Sequence, residues 1–408
     1  MAQADQRPAQ SPLTLYVGAE AVYAPEPLGA VDVLVAGDRI AAILERGSQA
    51  TATATALVQQ LGSSGSLVDI SGGILVPGLV DVHVHIAGGG GEMGPESRTP
   101  EAALSEIVCN GVTTLVGLTG TDSVTRSLEN LLAKGRALQR GGLNVALFTG
   151  AYRTPPPTLT SSIMQDIITI EQIIGVGEIA ISDHRSSVPS FDELTSIVSD
   201  ARVAGMLAGK TGLSHFHVGQ GAEMLEPLWK IVRSTAIPIQ NIYPTHVSSR
   251  GPGLLADAKK WVEAGGHVDM TADAASATAT PTLDALCEFK ESGCTMSRIT
   301  VSSDGYGSFP MFDAKGSLVK YGVGKQDALL ATVRRLVKER GWSLEAALPL
   351  ITSHPGDYVF AGARGRLCKS GAADFIVLNP ELSEVRYVVA RGVLLKTPTW
   401  VSKGMFES

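Results

Sequence analysis

Clustered positive charge and long apolar runs are both missing from this 408-residue chain. Its formal net charge is −7 and no long run of Lys or Arg occurs, which argues against a nucleic-acid partner, since binding to a phosphate backbone needs clustered cations. No stretch approaches the roughly 18 apolar residues of a membrane span. The polar first segment, MAQADQRPAQSPLTL, lacks the apolar core of a secretory signal. We therefore expect a cytoplasmic protein with no membrane or nucleic-acid partner.

Cysteine is also scarce. The four cysteines, Cys109, Cys287, Cys294 and Cys368, form no CxxC pair, so neither a disulfide framework nor a cysteine-based zinc site is predicted. Hydrophobic residues make up 44% of the chain, which also contains 45 glycines and 21 prolines. This composition is typical of a folded globular protein with many short connections.

The order of strand-like segments predicts an α/β fold. The N-terminal part reads as short strands, LTLYV, VDVLVAGDRIAAIL and SLVDISGGILV, interrupted by SQATATATALVQQLGSSGS, which we expect to be a surface excursion without a chemical role. Eight apolar bursts then alternate with helical stretches, which is typical of a (β/α)8 TIM-type barrel. These bursts are LVDVHVH, TTLVGLTG, NVALFTGAY, VGEIAIS, SHFHVG, IYPTH, HVDMT and RITVSSD. Short strands return near the C-terminus, so we predict a barrel over residues 76–361 and a discontinuous β-sandwich domain from residues 1–75 and 362–408.

The segment GLVDVHVHIAGGGGE, residues 78–92, places two of the chain's eight histidines one residue apart. Because side chains of a strand alternate between its two faces, His83 and His85 lie on the same face, where their nitrogens can share one metal ion. Taken alone, this pair is equally consistent with two histidines packed inside a barrel.

Polar residues that close other predicted strands favour the metal-binding alternative. His217 closes SHFHV, His246 closes IYPTH, and Asp304 closes RITVSSD. In a (β/α)8 barrel the C-terminal ends of the strands meet, and imidazoles with a carboxylate are ligands that zinc prefers. The remaining histidines are predicted to be structural or to support the ligands: His184, His215, His267 and His354.

Motifs along nearly the whole chain resemble those of the amidohydrolase superfamily, and within it the isoaspartyl (β-aspartyl) dipeptidases. The matching segments are HVHIAGGGGE, RTPE, GVTTLVGLTGTDS, LLAKGRAL, TGAY, AISDHRS, PTHV, SSDGYGS and VARGV with KGMFE. The resemblance implies a metal-dependent hydrolase that uses metal-activated water to cleave the amide between an aspartyl β-carboxyl and the next amino acid. It also implies a small-molecule substrate, two divalent metal ions with zinc favoured, and a homo-oligomer.

The resemblance and the residue chemistry together suggest roles. Asp304, as a metal ligand, is placed to accept a proton from the attacking water and deliver it to the leaving amine. Tyr152 would contact the substrate and donate a hydrogen bond to the oxyanion. Glu92 would pair with the substrate amine, and Arg185 would hold a carboxylate. The family pattern also implicates three further residues in substrate binding: Gly90, Thr121 and Ser308.

Two positions depart from the family pattern. The second carboxylate-binding arginine would follow the histidine of PTHV by three residues, but Ser249 stands there and Arg250 comes one residue later. We expect Arg250 to substitute, with a shifted specificity as the alternative.

The other departure concerns GVGEIAISDHRS, where the family has a carboxylated lysine that bridges two metals. This strand contains no lysine, and the residue seven positions before Arg185 is Glu178. We expect Glu178 to supply the bridging carboxylate, with a mononuclear or asymmetric site as the alternative.

Two other functions stay open at this point. One is another amidohydrolase that acts on a cyclic amide or an N-acyl amino acid. The other is a non-catalytic barrel scaffold, which the complete set of predicted ligands argues against.

Overall fold

The strands fall into four groups along the chain in the computed structural model, which describes residues 11–312 and 318–407. The N-terminal strands are β1 (Leu13–Val17), β2 (Ala21–Tyr23), β3 (Pro27–Gly29), β4 (Val31–Ala36), β5 (Arg39–Glu45), β6 (Gly65–Asp69) and β7 (Ile74–Pro77). The central strands are β8 (Leu79–Val84), β9 (Val112–Gly117), β10 (Asn144–Thr149), β11 (Ile173–Ile181), β12 (Leu213–Val218), β13 (Ile242–Thr245), β14 (Val268–Thr271) and β15 (Ile299–Ser302). A hairpin and the C-terminal strands follow: β16 (Ser308–Phe312), β17 (Leu318–Val323), β18 (Phe375–Leu378), β19 (Val385–Ala390), β20 (Val393–Thr397) and β21 (Trp400–Val401).

Helices α2 to α8 each separate two successive central strands, α1 lies between β5 and β6, and α9 to α11 lie between β17 and β18. The helices are α1 (Gln49–Gln60), α2 (Leu104–Cys109), α3 (Leu128–Arg140), α4 (Ile163–Thr169), α5 (Phe191–Ala208), α6 (Glu226–Ser234), α7 (Pro252–Glu263), α8 (Pro281–Glu291), α9 (Asp327–Arg340), α10 (Leu344–Ala347) and α11 (Ser353–Val359). Short 3-10 turns lie at Gly62–Ser64, Pro95–Ser97, Ile239–Asn241, Met296–Arg298 and Leu348–Ile351. Within the described residues, no helix combines the length and the apolar character that crossing a membrane requires.

All eight strands predicted for the middle of the chain are present. Strands β8 to β13 form a curled, six-stranded parallel sheet in the order β13-β12-β11-β10-β9-β8, and β14 and β15 form a separate parallel pair. Nearly every residue of these strands is buried, including the polar ones, because parallel strands are covered on both faces.

Helix α3 illustrates how the outer face of the sheet is covered. The helix begins after Ser127, whose hydroxyl accepts a hydrogen bond from the Asn130 backbone N–H and so caps the helix. Its buried residues include Leu131 and Leu138, seven positions apart on one face, which belong to the same apolar cluster as Leu147 of β10. Such packing fixes the strands, and the strand ends in turn position the polar residues described below.

The strands from the two ends of the chain build an additional sheet domain, as predicted. One sheet has the order β5-β4-β1-β6, and the other, β21-β20-β19-β18-β7-β2-β3, combines strands from both termini. The two sheets share an apolar cluster in which the rings of Tyr16 and Phe375 meet edge to face, with centroids 4.9 Å apart. Residues far apart in sequence therefore hold this domain together.

The small-residue segment after β5, which the sequence predicted only as a surface excursion, contains helix α1, and most of its residues are exposed or half-buried. Ser48 caps α1 by accepting from the Thr51 N–H. Ala54 and Val58, four residues apart on one face of α1, are buried against Leu15 of β1. Their regular spacing was hidden in a run of alternating Ala and Thr.

We expect Phe375→Ala to lower the free energy of unfolding by about 3–5 kcal/mol, the usual cost of removing a buried phenylalanine ring. Phe406→Ala is the matched control, because Phe406 is 95% exposed and its loss should change stability by less than about 0.5 kcal/mol. Urea denaturation followed by circular dichroism measures both. Equal stability of the two variants would contradict the importance of the contact between the sheets.

Candidate metal centre and active site

The six side chains predicted as metal ligands meet at the C-terminal ends of the central strands. His83, Glu178 and His217 lie within strands β8, β11 and β12. His85, His246 and Asp304 come just after strands β8, β13 and β15. Five of these side chains are buried, and the side chain of Asp304 is 20% exposed.

Glu178 lies at the centre of the set, and its two carboxylate oxygens face different histidines. Oε1 lies 2.7 Å from His217 Nδ1 and 3.0 Å from His246 Nε2. Oε2 lies 3.4 Å from His83 Nε2 and 3.9 Å from His85 Nε2. One carboxylate therefore joins two pairs of imidazoles.

A local irregularity in β11 accompanies the inward position of Glu178. The pairing of β11 with β12 shifts register between Val176 and Ile179, as at a bulge that re-aims a side chain. A Cβ at Gly177 would lie 2.7 Å from both Cβ and the carbonyl oxygen of His215. Only glycine therefore allows the two strands to approach so closely at this point.

Asp304 faces the histidines of β8. Its Oδ1 lies 3.1 Å from His85 Nε2 and 3.5 Å from His83 Nε2. The residue before it, Ser303, is fixed by buried Asp81 of β8, which accepts hydrogen bonds from the Ser303 N–H at 3.1 Å and hydroxyl at 2.5 Å. The strand that carries His83 thus also anchors the loop that carries Asp304.

Asp81 was not predicted as a functional residue, although it stands in the DVHVH segment. Burial raises its pKa to about 6, against the lowering effect of hydrogen bonds from Ser303 and Gln326. The sequence offered only its alternation with the two histidines, which puts it on their face of the strand without indicating a partner.

The electrostatics of the set suit a bound cation. Burial alone would raise the pKa of Glu178, but the His83 charge and hydrogen bonds from His217 and His246 hold it well below its usual range. Burial opposes protonation of His83, yet the nearby Glu178 charge raises the pKa of this imidazole to about 9. For His246, burial dominates and lowers the pKa to about 3. A permanently charged, buried carboxylate therefore depends on positive charge close by.

Orphaned polar atoms give an independent test of whether these residues fit a metal. In the described part of the chain, His83 Nε2, His85 Nδ1 and Glu178 Oε2 are buried without a hydrogen-bond partner. The 3.4 Å between His83 Nε2 and Glu178 Oε2 is an ion-pair distance without hydrogen-bond geometry. Unpartnered buried atoms are costly, and His83 Nε2 and Glu178 Oε2, which face each other, are atoms of the kind that bind metals. His85 Nδ1 does not add to this test, because Nε2 is the His85 nitrogen that faces Asp304 and Glu178.

Three overlapping groups of these residues bring their potential ligand atoms within 4.8 Å of one another. The groups are His83 with His85 and Glu178, His83 with His246 and Asp304, and Glu178 with His217 and His246. The donor set therefore fits divalent metal binding, with His83, His85, Glu178 and His246 among the candidate ligands.

A second cluster, the Glu92 cluster, adjoins this centre and contains most of the residues predicted to bind substrate. Glu92 accepts hydrogen bonds from Thr121 at 3.1 Å, from Ser308 at 3.0 Å and from Arg185 at 3.4 Å. Nearby Gly90 adopts a φ of +70°, and a Cβ there would lie 2.4 Å from the carbonyl oxygen of Ser97. The structure thus brings together four predicted side chains from distant parts of the sequence.

Asp183 links the two clusters, and the sequence did not single it out. Its carboxylate accepts from Arg185 Nε at 3.0 Å and from Arg185 Nη2 at 3.1 Å. It also lies 3.0 Å from His217 Nε2, the ring nitrogen that faces away from Glu178. A carboxylate on the far nitrogen of a ligating histidine orients the ring and makes it more basic. In the sequence, Asp183 could have been noticed only as part of SDHRS, because its contact with His217 depends on the turn after β11.

Tyr152 lies against both clusters. Its hydroxyl is 2.7 Å from His217 Nδ1, and the Arg185 guanidinium lies over its ring, 5.2 Å from the centroid. Burial, reinforced by the Glu178 charge, raises the pKa of Tyr152 well above its usual value. The phenol therefore keeps its proton and is a hydrogen-bond donor at neutral pH.

The remaining predicted residues lie outside the Glu92 cluster. Arg250 is half-buried, and among the described residues its Nε has no hydrogen-bond partner. The side chain of His184 is 88% exposed, so it is a surface residue rather than a structural one. His267 stacks on Tyr358, with ring centroids 3.7 Å apart. The other two histidines that were not predicted as ligands, His215 and His354, are hydrogen-bonded inside the protein.

Two solved structures of β-aspartyl dipeptidase from Fervidobacterium islandicum AW-1 are similar to this chain over almost its whole length. One, in complex with the β-Asp-Leu dipeptide, is 40% identical, with a TM-score of 0.87, covering 97% of this chain and 100% of that chain. The other has the same identity and coverage and a TM-score of 0.86. An N-acetylglucosamine-6-phosphate deacetylase from Pasteurella multocida, 14% identical with a TM-score of 0.62, covers 94% of this chain and 99% of its own, which shows the fold alone.

The amidohydrolase family model matches residues 74–406, which include the whole candidate metal centre and the Glu92 cluster. This match, with the 40% identity to two solved dipeptidase structures, confirms the predicted resemblance. The chain belongs to the amidohydrolase family.

Proposed function

We propose that this protein is a metal-dependent dipeptidase that hydrolyses the amide between the β-carboxyl of an aspartyl residue and the next amino acid. The observation that carries the proposal is the Glu92–Arg185 ion pair beside the candidate metal centre. Arg185 Nη1 lies 3.4 Å from Glu92, and Arg185 Nη2 lies 3.2 Å from His217 Nε2. The 40% identity to β-aspartyl dipeptidase supports the same activity.

The charges of a β-aspartyl dipeptide match this pair. Its aspartyl Cα carries an amine and a carboxylate, so groups of opposite charge on the protein must lie close together to bind both. We propose that Glu92, supported by Thr121 and Ser308, binds the amine. Arg185 would hold the α-carboxylate through its guanidinium fork. Gly90 would let the backbone approach the ligand without interference from a Cβ.

The second carboxylate, on the leaving amino acid, needs another partner. Arg250 stays the predicted residue for that role, because it is half-buried and lies four residues after His246, at the ends of the central strands. Its long side chain offers the same planar donor fork as Arg185.

We propose that the histidines of the candidate metal centre and Glu178 would hold two divalent cations, with zinc as the favoured metal and Glu178 as the carboxylate shared between them. The two oxygens of Glu178 face different pairs of histidines, which supports a bridging role. Bound cations of this kind make water a nucleophile near neutral pH and polarise a carbonyl oxygen. His83 and His85 would hold one ion, His217 and His246 the other, and Asp304 would complete the set.

Asp304 and Tyr152 would carry the proton and charge steps. Burial would raise the pKa of Asp304, but the hydrogen bond with His85 and the His83 charge lower it to about 2. The carboxylate is therefore ionised at neutral pH and can accept a proton from the attacking water before passing it to the leaving amine. Tyr152 keeps its proton and would donate a hydrogen bond to the oxyanion.

For the architecture, we propose that all eight central strands close into one (β/α)8 barrel over residues 76–361. A parallel bridge between Val84 and Gly305, and a hydrogen bond of 2.9 Å from the His85 N–H to the Gly305 carbonyl, support contact between the first and last strands. Residues 1–75 and 362–408 are the predicted bounds of the separate β-sandwich domain, of which residues 1–10 and 408 lie outside the described residues. The homo-oligomer stays a prediction.

A substrate panel tests the proposed function. Zinc-loaded protein should cleave β-Asp-Leu much faster than α-Asp-Leu, a hydantoin or an N-acetyl amino acid, because only the β-linked dipeptide places amine, carboxylate and scissile carbonyl correctly. Product formation followed by chromatography gives kcat/KM for each. Preference for the hydantoin or the N-acetyl amino acid would overturn the dipeptidase assignment.

We expect Arg185→Ala to lower kcat/KM for β-Asp-Leu by about 10–100-fold, because the lost charge-assisted hydrogen bonds are worth roughly 1.5–3 kcal/mol. The loss should be much smaller for β-alanyl-leucine, which keeps the amine but lacks the α-carboxylate. Arg233→Ala is the control, since Arg233 pairs with Glu226 on an exposed helix surface. Equal losses on both substrates would contradict the assigned contact.

We expect Glu178→Ala to lose most of its bound metal, because the carboxylate that joins the two histidine pairs is gone. Metal content after dialysis, measured by inductively coupled plasma mass spectrometry, tests this, with Glu92→Ala as a carboxylate control outside the ligand set. Wild-type protein should assemble its metal centre equally well with and without bicarbonate, since Glu178 is a carboxylate already. Two retained ions per chain in Glu178→Ala would contradict the bridge.

A further inference from the structure

His215 is a buried histidine that contacts a candidate metal ligand without belonging to the ligand set. It lies in β12, two residues before His217, and has no solvent exposure. Its Nε2 is 2.9 Å from His83 Nδ1, and its Nδ1 is 3.0 Å from the backbone carbonyl oxygen of Tyr243. Three groups therefore form a chain that ends on one of the proposed ligands.

The direction of the hydrogen bonds in this chain follows from its far end. A carbonyl oxygen can only accept, so His215 Nδ1 must carry a hydrogen and donate it to Tyr243. A neutral imidazole has one N–H, which leaves His215 Nε2 as an acceptor. His83 Nδ1 must then be the donor, so Nε2 is the ring nitrogen of His83 that can bind a metal ion.

The surroundings keep His215 neutral and fixed. The two polar partners of its ring are the Tyr243 carbonyl and His83, and neither is a carboxylate that would stabilise an imidazolium in this buried place. Its ring packs between Phe148 and Tyr243, with centroid distances of 5.4 Å and 4.8 Å. Its Cβ and backbone also lie close to Gly177 of β11, where a Cβ would be 2.7 Å from the His215 Cβ.

We propose that His215 is a positioning residue that fixes the tautomer and ring orientation of His83, so that His83 presents the Nε2 lone pair to a metal ion. This inference rests on the proposed function, because it takes His83 as a ligand. The Nε2 atom that the chain leaves free is the same atom that is buried without a hydrogen-bond partner and faces Glu178 and Asp304.

The support given to His83 differs from that of the neighbouring ligands. His217 has the carboxylate of Asp183 on its other nitrogen, and His246 Nδ1 lies 2.6 Å from the Thr271 hydroxyl. His83 is fully buried beside Glu178, where a further carboxylate would add negative charge without solvent. The neutral imidazole of His215 orients the His83 ring without placing a second buried negative charge beside Glu178.

Zinc affinity of two substitutions separates positioning from a merely structural role. His215→Phe keeps a ring of similar shape but removes the acceptor, whereas His215→Gln places an amide oxygen close to the former Nε2. We expect His215→Phe to bind Zn²⁺ about 10–100-fold more weakly than wild type, and His215→Gln to recover most of the affinity. Competition with a chromophoric chelator measures both, and circular dichroism checks that each variant is folded.

His354→Phe is the matched control, because His354 Nδ1 also contacts a backbone carbonyl, that of Ile299 at 3.0 Å, away from the ligands. It should bind zinc as wild type does. A folded His215→Phe variant with wild-type affinity would overturn the proposal. Wild-type protein that binds no zinc would instead overturn the proposed function on which it rests.

Ring-nitrogen NMR keeps the proposal testable if His215→Phe does not fold. In zinc-loaded protein labelled with 15N-histidine, His83 and His215 should both carry their hydrogen on Nδ1, with His83 Nε2 shifted by metal binding. The His215→Gln spectrum identifies the His215 signals by their loss. A hydrogen on His215 Nε2 would overturn the proposed direction of the chain.

Discussion

A carboxylate without access to solvent is the constraint on which the rest of the centre depends. Glu178 is fully buried, and an isolated charge in such a place would be neutralised or would destabilise the fold. Hydrogen bonds from His217 and His246 and the charge of His83 keep it ionised. These partners come from other strands, so the charge is tolerated only because parallel strands bring their C-terminal ends together. The arrangement of the strand ends is therefore what allows this carboxylate to be buried as a charged group.

Alternating charges continue outward from this carboxylate. His217 contacts Glu178 on one ring nitrogen and Asp183 on the other, and Asp183 holds Arg185, which reaches Glu92. Each member contacts a group of opposite character, so the same carboxylate, that of Asp183, orients both the candidate ligand His217 and Arg185. A substitution at Asp183 would therefore affect both the candidate metal centre and the Glu92 cluster.

The sequence predicted those parts of the site that depend on spacing within a single strand. His83 and His85 followed from the period of two, and counting back from Arg185 located Glu178, because both lie in or just after β11. Counting residues along one strand does not predict the contacts between different strands and loops. Asp183 and Asp81 were missed because their partners are set by a turn and by a strand neighbour more than 200 residues away. Arg250 shows the same limit, since a loop follows β13 and its spacing does not fix where a side chain points.

If Glu178 supplies the carboxylate that the resemblance assigns to a carboxylated lysine, the proposed centre would assemble differently. A lysine becomes a carboxylate only after reacting with carbon dioxide, whereas Glu178 has its charge as soon as the chain folds. That charge must then be stabilised before any cation arrives, and His83, with a pKa raised to about 9, is positioned to do so as an imidazolium. A divalent ion that binds would displace this proton, so cation replaces cation beside the same carboxylate. Three of the histidines that would bind a metal ion, His83, His217 and His246, are therefore also the groups that stabilise the buried charge of Glu178.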